Sequence, residues 1–343
     1  MSPRLAALLV ALVLAALACW AVPAASVRSL IAAFARAKRT VRNYRGIDVP
    51  LGLGAVWFVW ALAAAAVAAI APMLAADSNA AAAIAQAAEV AVEILLPAGV
   101  AVVAVAGLSD DLFGEPADRG LRGHFRALRE GRVTTGLVKL VAIALMAAWA
   151  SLPVIASART VPWAALPSPV TFLAATALIA ATTNLHNLLD LRPGRALKAG
   201  IGLTALALPA LAFSLPMLSG TPRPAGWEVA LVVGVAAIGP MLAVLPSDLA
   251  ERSMLGDAGA NAVGFVTGLV LAHSLSDVTL VVAAVVVVVL NLMSEQISFS
   301  AVIDRTPLLH AIDMVGRRPP DVPRHPPEYP RPLNPHDPFG DGL

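Results

Sequence analysis

Long apolar stretches separated by short polar connections dominate the chain. A helix needs about 20 consecutive apolar residues to cross the hydrocarbon core of a bilayer. Stretches of that kind occur nine times, at residues 5–25, 51–74, 89–108, 135–155, 168–185, 199–219, 228–246, 258–275 and 278–295. The few charged residues inside them, such as Glu93, Lys139 and Glu228, lie toward the ends. The pattern therefore predicts an all-α fold, a polytopic bundle of about nine transmembrane helices.

Composition agrees with a membrane protein and excludes several other classes. Of the 343 residues, 59% are hydrophobic and 13% charged, whereas soluble domains carry about 25% charged residues. The single cysteine, Cys19, excludes an intramolecular disulfide and a cysteine-rich metal site. The net charge of +2 gives no reason to expect a nucleic-acid partner, and the basic excess suits anionic lipid headgroups better.

The distribution of basic residues predicts the orientation of the bundle. Lys and Arg are retained on the cytoplasmic side of a membrane. With nine spans, all but three of the 24 basic residues fall on one side, and only Arg4, Arg159 and Arg223 lie opposite. We therefore expect a multi-pass protein of the cell membrane whose N-terminus is outside and whose C-terminus is in the cytoplasm.

The last part of the chain differs in composition from the rest. Residues 1–316 form one predicted membrane domain with cytoplasmic loops, whereas 317–343 are rich in proline. Proline removes a backbone donor and interrupts helices, so we expect these residues to be a disordered cytoplasmic tail. Such a tail could dock a partner in envelope assembly.

Three polar segments fall on the predicted cytoplasmic face. They carry Asp110 and Asp111 after span three, Asn184, Asn187 and Asp190 after span five, and Asp248, Glu251 and Asp257 before span eight. The spacing i, i+3, i+6 gives the second group one helical face. The first turn of a helix favours anions, and Gly256 and Gly259 allow backbone to approach a ligand there.

Together these groups suit a Mg²⁺-diphosphate ligand. Mg²⁺ takes hard oxygen ligands, one or two of them from protein, and its remaining positions go to phosphates and water. Lys139, at the start of the next helix, could contact a phosphate. Each residue alone also has a structural explanation, because Asp and Asn cap helices and lysine at a span end reaches the headgroups. The coincidence of side, residue type and spacing favours the ligand site.

Four segments resemble the cytoplasmic motifs of one superfamily. They are "NYRGIDVPLGLG" at 43–54, "GLSDDLFG" at 107–114, "NLHNLLDLRPGR" at 184–195 and "GDAGANAVG" at 256–264. Their order and content are similar to those of the polyprenyl-phosphate N-acetylhexosamine-1-phosphate transferases. These include the phospho-MurNAc-pentapeptide translocase and its GlcNAc-1-phosphate relatives.

The resemblance implies a reaction and a role for each matching residue. A polyprenyl phosphate attacks the β-phosphorus of a UDP-amino sugar, which gives a polyprenyl-diphospho-sugar and UMP for envelope glycans such as peptidoglycan. Asp110 and Asp111 would serve catalysis, with Asp111 near the metal, and Asp257 would be the principal Mg²⁺ ligand. The implied substrate-binding residues are Lys139, Asn184, Asn187 and Asp190.

The chain also departs from the superfamily. Leu191 follows Asp190 where the family has glycine, a second acid is missing, and Arg192 and Arg195 stand nearby. Ala260 replaces a serine. In place of a histidine cluster, the last loop offers only His310 and Asp313, and the proline-rich tail replaces a final membrane helix.

Two interpretations remain open at this point. In the first, the chain is a divergent transferase in which Arg192, Arg195, His310 and either Arg122 or Arg126 contact the phosphates. In the second, it has lost catalysis and acts as a scaffold or polyprenyl-phosphate-binding protein in envelope assembly. A transporter fits less well, because the two halves of the chain lack corresponding spans that are charged or broken by Gly and Pro at the membrane midplane. The sequence leaves a homodimer open.

Overall fold

The described structure, a computed structural model, covers residues 3–73, 80–114, 120–155, 168–213 and 227–318. It is predominantly helical. The helices are α1 Pro3–Arg36, α2 Val56–Met73, α3 Ala80–Phe113, α4 Gly120–Arg129, α5 Thr135–Ile155, α6 Ser168–Leu189, α7 Arg195–Phe213, α8 Trp227–Leu249, α9 Gly256–Ser274, α10 Asp277–Ser294, α11 Phe299–Arg305 and α12 Pro307–Met314. The strands are β1 Thr40–Arg42 and β2 Asp48–Pro50. The predicted tail after residue 318 lies outside the described residues.

Five helices of the described ranges are long and apolar enough to cross a membrane. These segments are Leu12–Arg36, Thr135–Leu152, Pro169–Leu189, Leu231–Leu249 and Asp277–Ser294. Each overlaps one of the apolar stretches that the sequence marks as spans. The other four stretches are also helical over most of their described residues, although the first of them enters its helix only at Val56. The prediction of a helical protein with apolar spans is thus confirmed in its coarse form.

Helix α9 lies at the centre of the bundle. It packs against α3, α6, α7 and α8, and its side chains Phe265 and Leu269 are fully buried. A Cβ on Gly264 would lie 2.7 Å from the carbonyl oxygen of Thr182, so only glycine allows α6 to approach so closely. The numerous glycines and alanines in the middle of α9 are therefore explained by packing between helices.

The contacts of α9 with α6 also set a register between the two antiparallel helices. Gly264 lies against Thr182 and Thr183, and Gly268 lies one turn farther along against Ile179. The same register continued toward the other end of the pair brings the start of α9 beside the end of α6. Those two ends carry acidic residues that the sequence placed in one candidate site.

A short β-hairpin follows α1, where the sequence predicted only a loop with a family-like motif. Strands β1 and β2 are antiparallel, with Val41 opposite Val49. The side-chain oxygen of Asn43 accepts hydrogen bonds from the amides of Arg45 at 2.9 Å and Ile47 at 3.0 Å, which closes the turn. Asparagine side chains favour such local turns because they replace a backbone acceptor.

Candidate active site

A cavity of about 460 Å³ opens at one end of the bundle, where α3 and α6 end and α5 and α9 begin. It brings together six residues that the sequence had marked far apart along the chain. They are Asp110, Asp111, Lys139, Asn187, Asp190 and Asp257. Carboxylates therefore dominate the polar lining, and one lysine lies among them.

Lys139 bridges two of these carboxylates. Its ammonium donates to Asp110 Oδ2 at 2.6 Å and also pairs with Asp257 Oδ2. Thr135 donates to the other oxygen of Asp110 at 2.6 Å. Burial alone would raise the pKa of Asp110, but the hydrogen bonds from Lys139 and Thr135 outweigh it and hold the pKa below its ordinary value. Asp110 is therefore ionised at neutral pH.

Asp111 caps α9 from a different helix. Its Oδ1 accepts the amide of Asp257 at 3.0 Å and its Oδ2 accepts the amide of Ala258 at 3.1 Å. Leu255, the residue before α9, offers no side-chain cap of its own. The anion that satisfies these first-turn amides is thus a carboxylate of the protein. The sequence pattern had predicted a ligand anion at this position.

Close packing of α3 against α9 makes this cap possible. A Cβ on Gly107 would lie 2.5 Å from the carbonyl oxygen of Asp257, so the position needs glycine. The closeness also has an electrostatic cost. Burial, and then the neighbouring carboxylate of Asp257, raise the pKa of Asp111 to about 7 despite its two backbone hydrogen bonds.

Asp190 is the most crowded acid of the cavity. Burial raises its pKa well above the ordinary value, and the carboxylates of Asp248, Asp111 and Asp257 raise it further. Asp248 is itself buried and accepts the amide of Gly194 at 2.6 Å. Like charges in such proximity favour a cation among them.

The donor set fits Mg²⁺ bound together with phosphates. Within the described ranges, no group of three or more His, Cys, Asp or Glu side chains is arranged to hold a metal ion. An all-protein metal cage is therefore not formed by these residues. Mg²⁺ commonly uses only one or two carboxylates and fills its octahedron with phosphate oxygens and water. Asp257 and Asp111 are the oxygen donors suited to that arrangement.

Asn184 makes a contact between helices and does not line the cavity. Its side-chain amide donates to Asn291 Oδ1 at 2.7 Å, and Asn291 donates to the carbonyl oxygen of Ala181 at 2.9 Å. These bonds join α6 to α10. Of the three residues predicted to share one face, only Asn187 and Asp190 line the cavity.

Arg195 is also engaged outside the cavity. Its guanidinium donates to both carboxylate oxygens of Asp313, at 2.9 and 3.0 Å, and to Ser300 Oγ at 2.9 Å. Arg317 pairs with the same carboxylate. These contacts attach α12 to the start of α7. Two residues that depart from the family pattern, Arg195 and Asp313, are therefore partners of each other.

The two remaining predicted residues lie outside this cavity, although Arg192 lines a small neighbouring pocket with Asp190 and Asp248. The guanidinium of Arg192 stacks 4.6 Å from the centre of the Tyr44 ring, where Arg45 and Arg317 also approach at 5.2 and 5.4 Å. His310 is half exposed, and its Nδ1 lies 3.9 Å from Asp304 Oδ1. Neither residue lines the cavity.

Four further residues of the cavity, and the contacts of the first motif segment at 43–54, were not predicted from the sequence. The cavity is also lined by Arg42, His124, Thr134 and Thr135. The first motif braces the loop before α9, since Pro50 O accepts the amide of Met254 at 2.9 Å and the hydroxyl of Ser253 at 2.7 Å. Glu251 in that loop accepts from Asn43 and Tyr44 at 3.3 and 3.1 Å. A polar threonine pair just before Lys139 was a signal that could have been used.

No protein-family model matches the chain, and no curated protein matches it significantly.

Proposed function

We propose that this protein transfers a sugar-1-phosphate from a UDP-amino sugar to a polyprenyl phosphate, with Mg²⁺ bound among the acids of the cavity. The observation that carries the proposal is the convergence of Asp110, Asp111, Lys139, Asp190 and Asp257 on one cavity. The four aspartates come from three motif segments, and Lys139 lies near the start of α5. A cavity of about 460 Å³ also falls in the usual range for small-molecule sites.

In this proposal the phosphate oxygen of the lipid attacks the β-phosphorus of the donor. The bond between that phosphorus and the oxygen bridging to the α-phosphate breaks, and UMP leaves. A phosphate monoester is largely deprotonated at neutral pH, since its second pKa is about 6, so the attack does not require a strong base. Positioning and charge neutralisation do most of the work in such a transfer.

The residues of the cavity divide this work. Asp257 and Asp111 would hold Mg²⁺, which supplies positive charge to the phosphates when bound. Lys139 would add a second positive charge, and Asp110 holds the ammonium in place through its 2.6 Å hydrogen bond. The side-chain amide of Asn187 makes no hydrogen bond among the described residues, which leaves it available to the nucleotide or the diphosphate.

The membrane arrangement belongs to the same proposal. The chain would cross the cell membrane nine times, with its N-terminus outside and the cavity on the cytoplasmic side. The lipid phosphate would then reach the acids from the headgroup region. Single cysteines at Glu130→Cys and Ser276→Cys in a Cys19→Ser background test this topology. We expect a membrane-impermeant thiol reagent to label the first from the cytoplasm and the second from outside.

The activity is tested with purified full-length protein in lipid nanodiscs. Radiolabelled UDP-amino sugars are offered with Mg²⁺ and undecaprenyl or decaprenyl phosphate, and lipid-linked product is measured. We expect product from the wild type and from Arg305→Met, a control at an exposed arginine of α11. We expect none from Asp257→Ala or Asp110→Asn.

The alternative is a protein that binds the lipid phosphate without transferring sugar. Lack of product from every donor, beside an active member of the superfamily as positive control, would reject the transferase. Binding of polyprenyl phosphate by that inactive protein would support the scaffold instead. The engagement of Arg195 by Asp313 is the observation that gives this alternative weight, since it removes one cation from the phosphates.

A further inference from the structure

His124 is a cavity residue to which neither the motifs nor the proposed reaction assigns a part. It lies on α4, and it lines the same cavity as Asp110 and Lys139. Its Nδ1 is 2.8 Å from the hydroxyl oxygen of Thr134. That oxygen also accepts the amide of Leu137 at 3.1 Å, as the cap of α5. The imidazole is therefore anchored to the start of the helix that carries Lys139.

The absence of a side chain at Gly136 makes room for this ring. A Cβ at that position would overlap the imidazole of His124, which packs against the backbone there. With Nδ1 held by Thr134, the other ring nitrogen, Nε2, has no hydrogen-bond partner in the described part of the chain. When the threonine hydroxyl donates to Nδ1, the neutral ring carries its proton on Nε2 and can donate from there.

The cavity has few groups that can donate to a phosphate. The ammonium of Lys139 is already paired with two carboxylates, and Arg195 is paired with Asp313. Arg192 is stacked on Tyr44 outside the cavity. Arg42 and Asn187 also line the cavity, but the Arg42 side chain is 76% exposed and lies 3.8 Å from Asp48. A diphosphate or lipid phosphate placed beside the acids would therefore be stabilised by a further donor from another cavity residue.

We infer that His124 binds a phosphate oxygen of the ligand through Nε2–H. The site is built for this role, because Thr134 fixes the ring and Gly136 gives it space. The ligand class, a phosphate oxyanion, rests on the proposed function. It is carried either by the polyprenyl phosphate or by the diphosphate of the sugar nucleotide, and both sources present the same acceptor. His124 thereby provides from α4 an imidazole that His310, exposed beside Asp304, does not provide.

Two substitutions at His124 separate the roles of its two nitrogens. The shorter side chain of His124→Asn can keep the contact that Nδ1 makes with Thr134, but it has no atom at the position of Nε2. The longer side chain of His124→Gln has a donor near the position of Nε2. Arg129→Ala, at an exposed residue of the same helix outside the cavity, is the matched control.

The experiment measures binding by the full-length protein in nanodiscs with Mg²⁺, separately for undecaprenyl phosphate in the disc and for UDP-N-acetylglucosamine in solution. A hydrogen bond to a charged group contributes about 1.5–3 kcal/mol, which corresponds to about tenfold or more in affinity. We expect His124→Asn to weaken binding of one probe by about tenfold or more, and the affected probe identifies the source of the phosphate. We expect His124→Gln to retain most of the affinity and Arg129→Ala to retain all of it.

The possible results separate this inference from the proposed function. Unchanged affinity of His124→Asn for both probes, with unfolding like that of the wild type, would overturn the inference even if the wild type makes lipid-linked product. Binding that depends on His124 without any product would support the inference and reject the transferase. A wild type that binds neither probe would overturn both. Equal loss in His124→Asn and His124→Gln would assign the residue to structure and overturn the inference as well.

Discussion

The ion pair between Arg195 and Asp313 allows a quantitative test of what holds the site in shape. Two hydrogen bonds of 2.9 and 3.0 Å join the guanidinium to the carboxylate, and the two side chains are only 6% and 2% exposed. Arg195→Met removes one of the two cations that pair with the buried carboxylate of Asp313. Breaking a buried pair by removing one partner costs about 3–5 kcal/mol. Because Arg317 still contacts Asp313, we expect the low end, a loss of about 3 kcal/mol in unfolding free energy.

A double variant distinguishes a structural role of Arg195 from contact with substrate. Arg195→Met with Asp313→Leu removes both charges of the pair, and replacement of buried pairs by apolar residues is often close to neutral. We therefore expect the double variant to recover most of the lost stability. Equilibrium unfolding of the purified protein in mixed micelles measures this, with Arg305→Met as a control that changes stability by less than about 0.5 kcal/mol.

Transfer activity of the same variants completes the test. If Arg195 only attaches α12 to α7, activity should return together with stability in the double variant. If Arg195 contacts a phosphate, stability should return while activity stays lost. The reasoning is refuted by that second result, or by an Arg195→Met protein that unfolds like the wild type.

Further expectations concern the acids and their supports. Lys139→Met should abolish transfer and make stability more dependent on added Mg²⁺, because two carboxylates then lack their cation; thermal unfolding with and without Mg²⁺ checks this, and equal responses would contradict it. Asp111→Ala should cost about 1–2 kcal/mol by uncapping α9, whereas Asp111→Asn should cost less; equal losses in equilibrium unfolding would refute the cap. Gly107→Ala should disrupt the site, since its Cβ would meet the carbonyl of Asp257; wild-type activity in that variant would refute the close approach. Burial would raise the pKa of Asp313, but the ion pairs with Arg195 and Arg317 hold this pKa below its ordinary value. The carboxylate therefore stabilises the fold above the ordinary aspartate pKa, and this contribution is lost as pH falls through the lowered pKa. The difference in unfolding free energy between the wild type and Asp313→Leu should accordingly shrink in acid.

The helical fold could be predicted because apolar runs of bilayer length are a strong signal. The β-hairpin could not be predicted in the same way. Each strand has three residues, too few for an alternating pattern to stand out, and the loop before α9 supplies its supporting contacts. Those contacts, such as the bond from Gly52 N to Ser253 Oγ at 3.0 Å, join residues 201 positions apart. No local feature of the sequence predicts these long-range contacts.

Part of the candidate site could be predicted because its residues lie at the ends of helices that reach the same predicted face of the membrane. Asp110, Lys139 and Asp257 follow from that logic. Asn184 and Arg195 do not, because their partners lie 107 and 118 positions away and had no motif of their own. The same spacing rule that grouped Asn184 with the acids could not reveal that a neighbouring helix also faces it.

Because Asp111 caps α9 and also belongs to the proposed active site, selection for stability and selection for activity would both act on this residue. A chain that had ceased to catalyse would still be stabilised by this cap, so selection for stability would favour keeping Asp111 through divergence. Asn187 lines the same cavity, but its side chain makes no hydrogen bond within the described ranges. Substitutions at Asn187 would therefore accumulate first in a lineage released from catalysis. If the chain is the proposed transferase, we expect that position to vary with activity among its relatives more closely than Asp111 does.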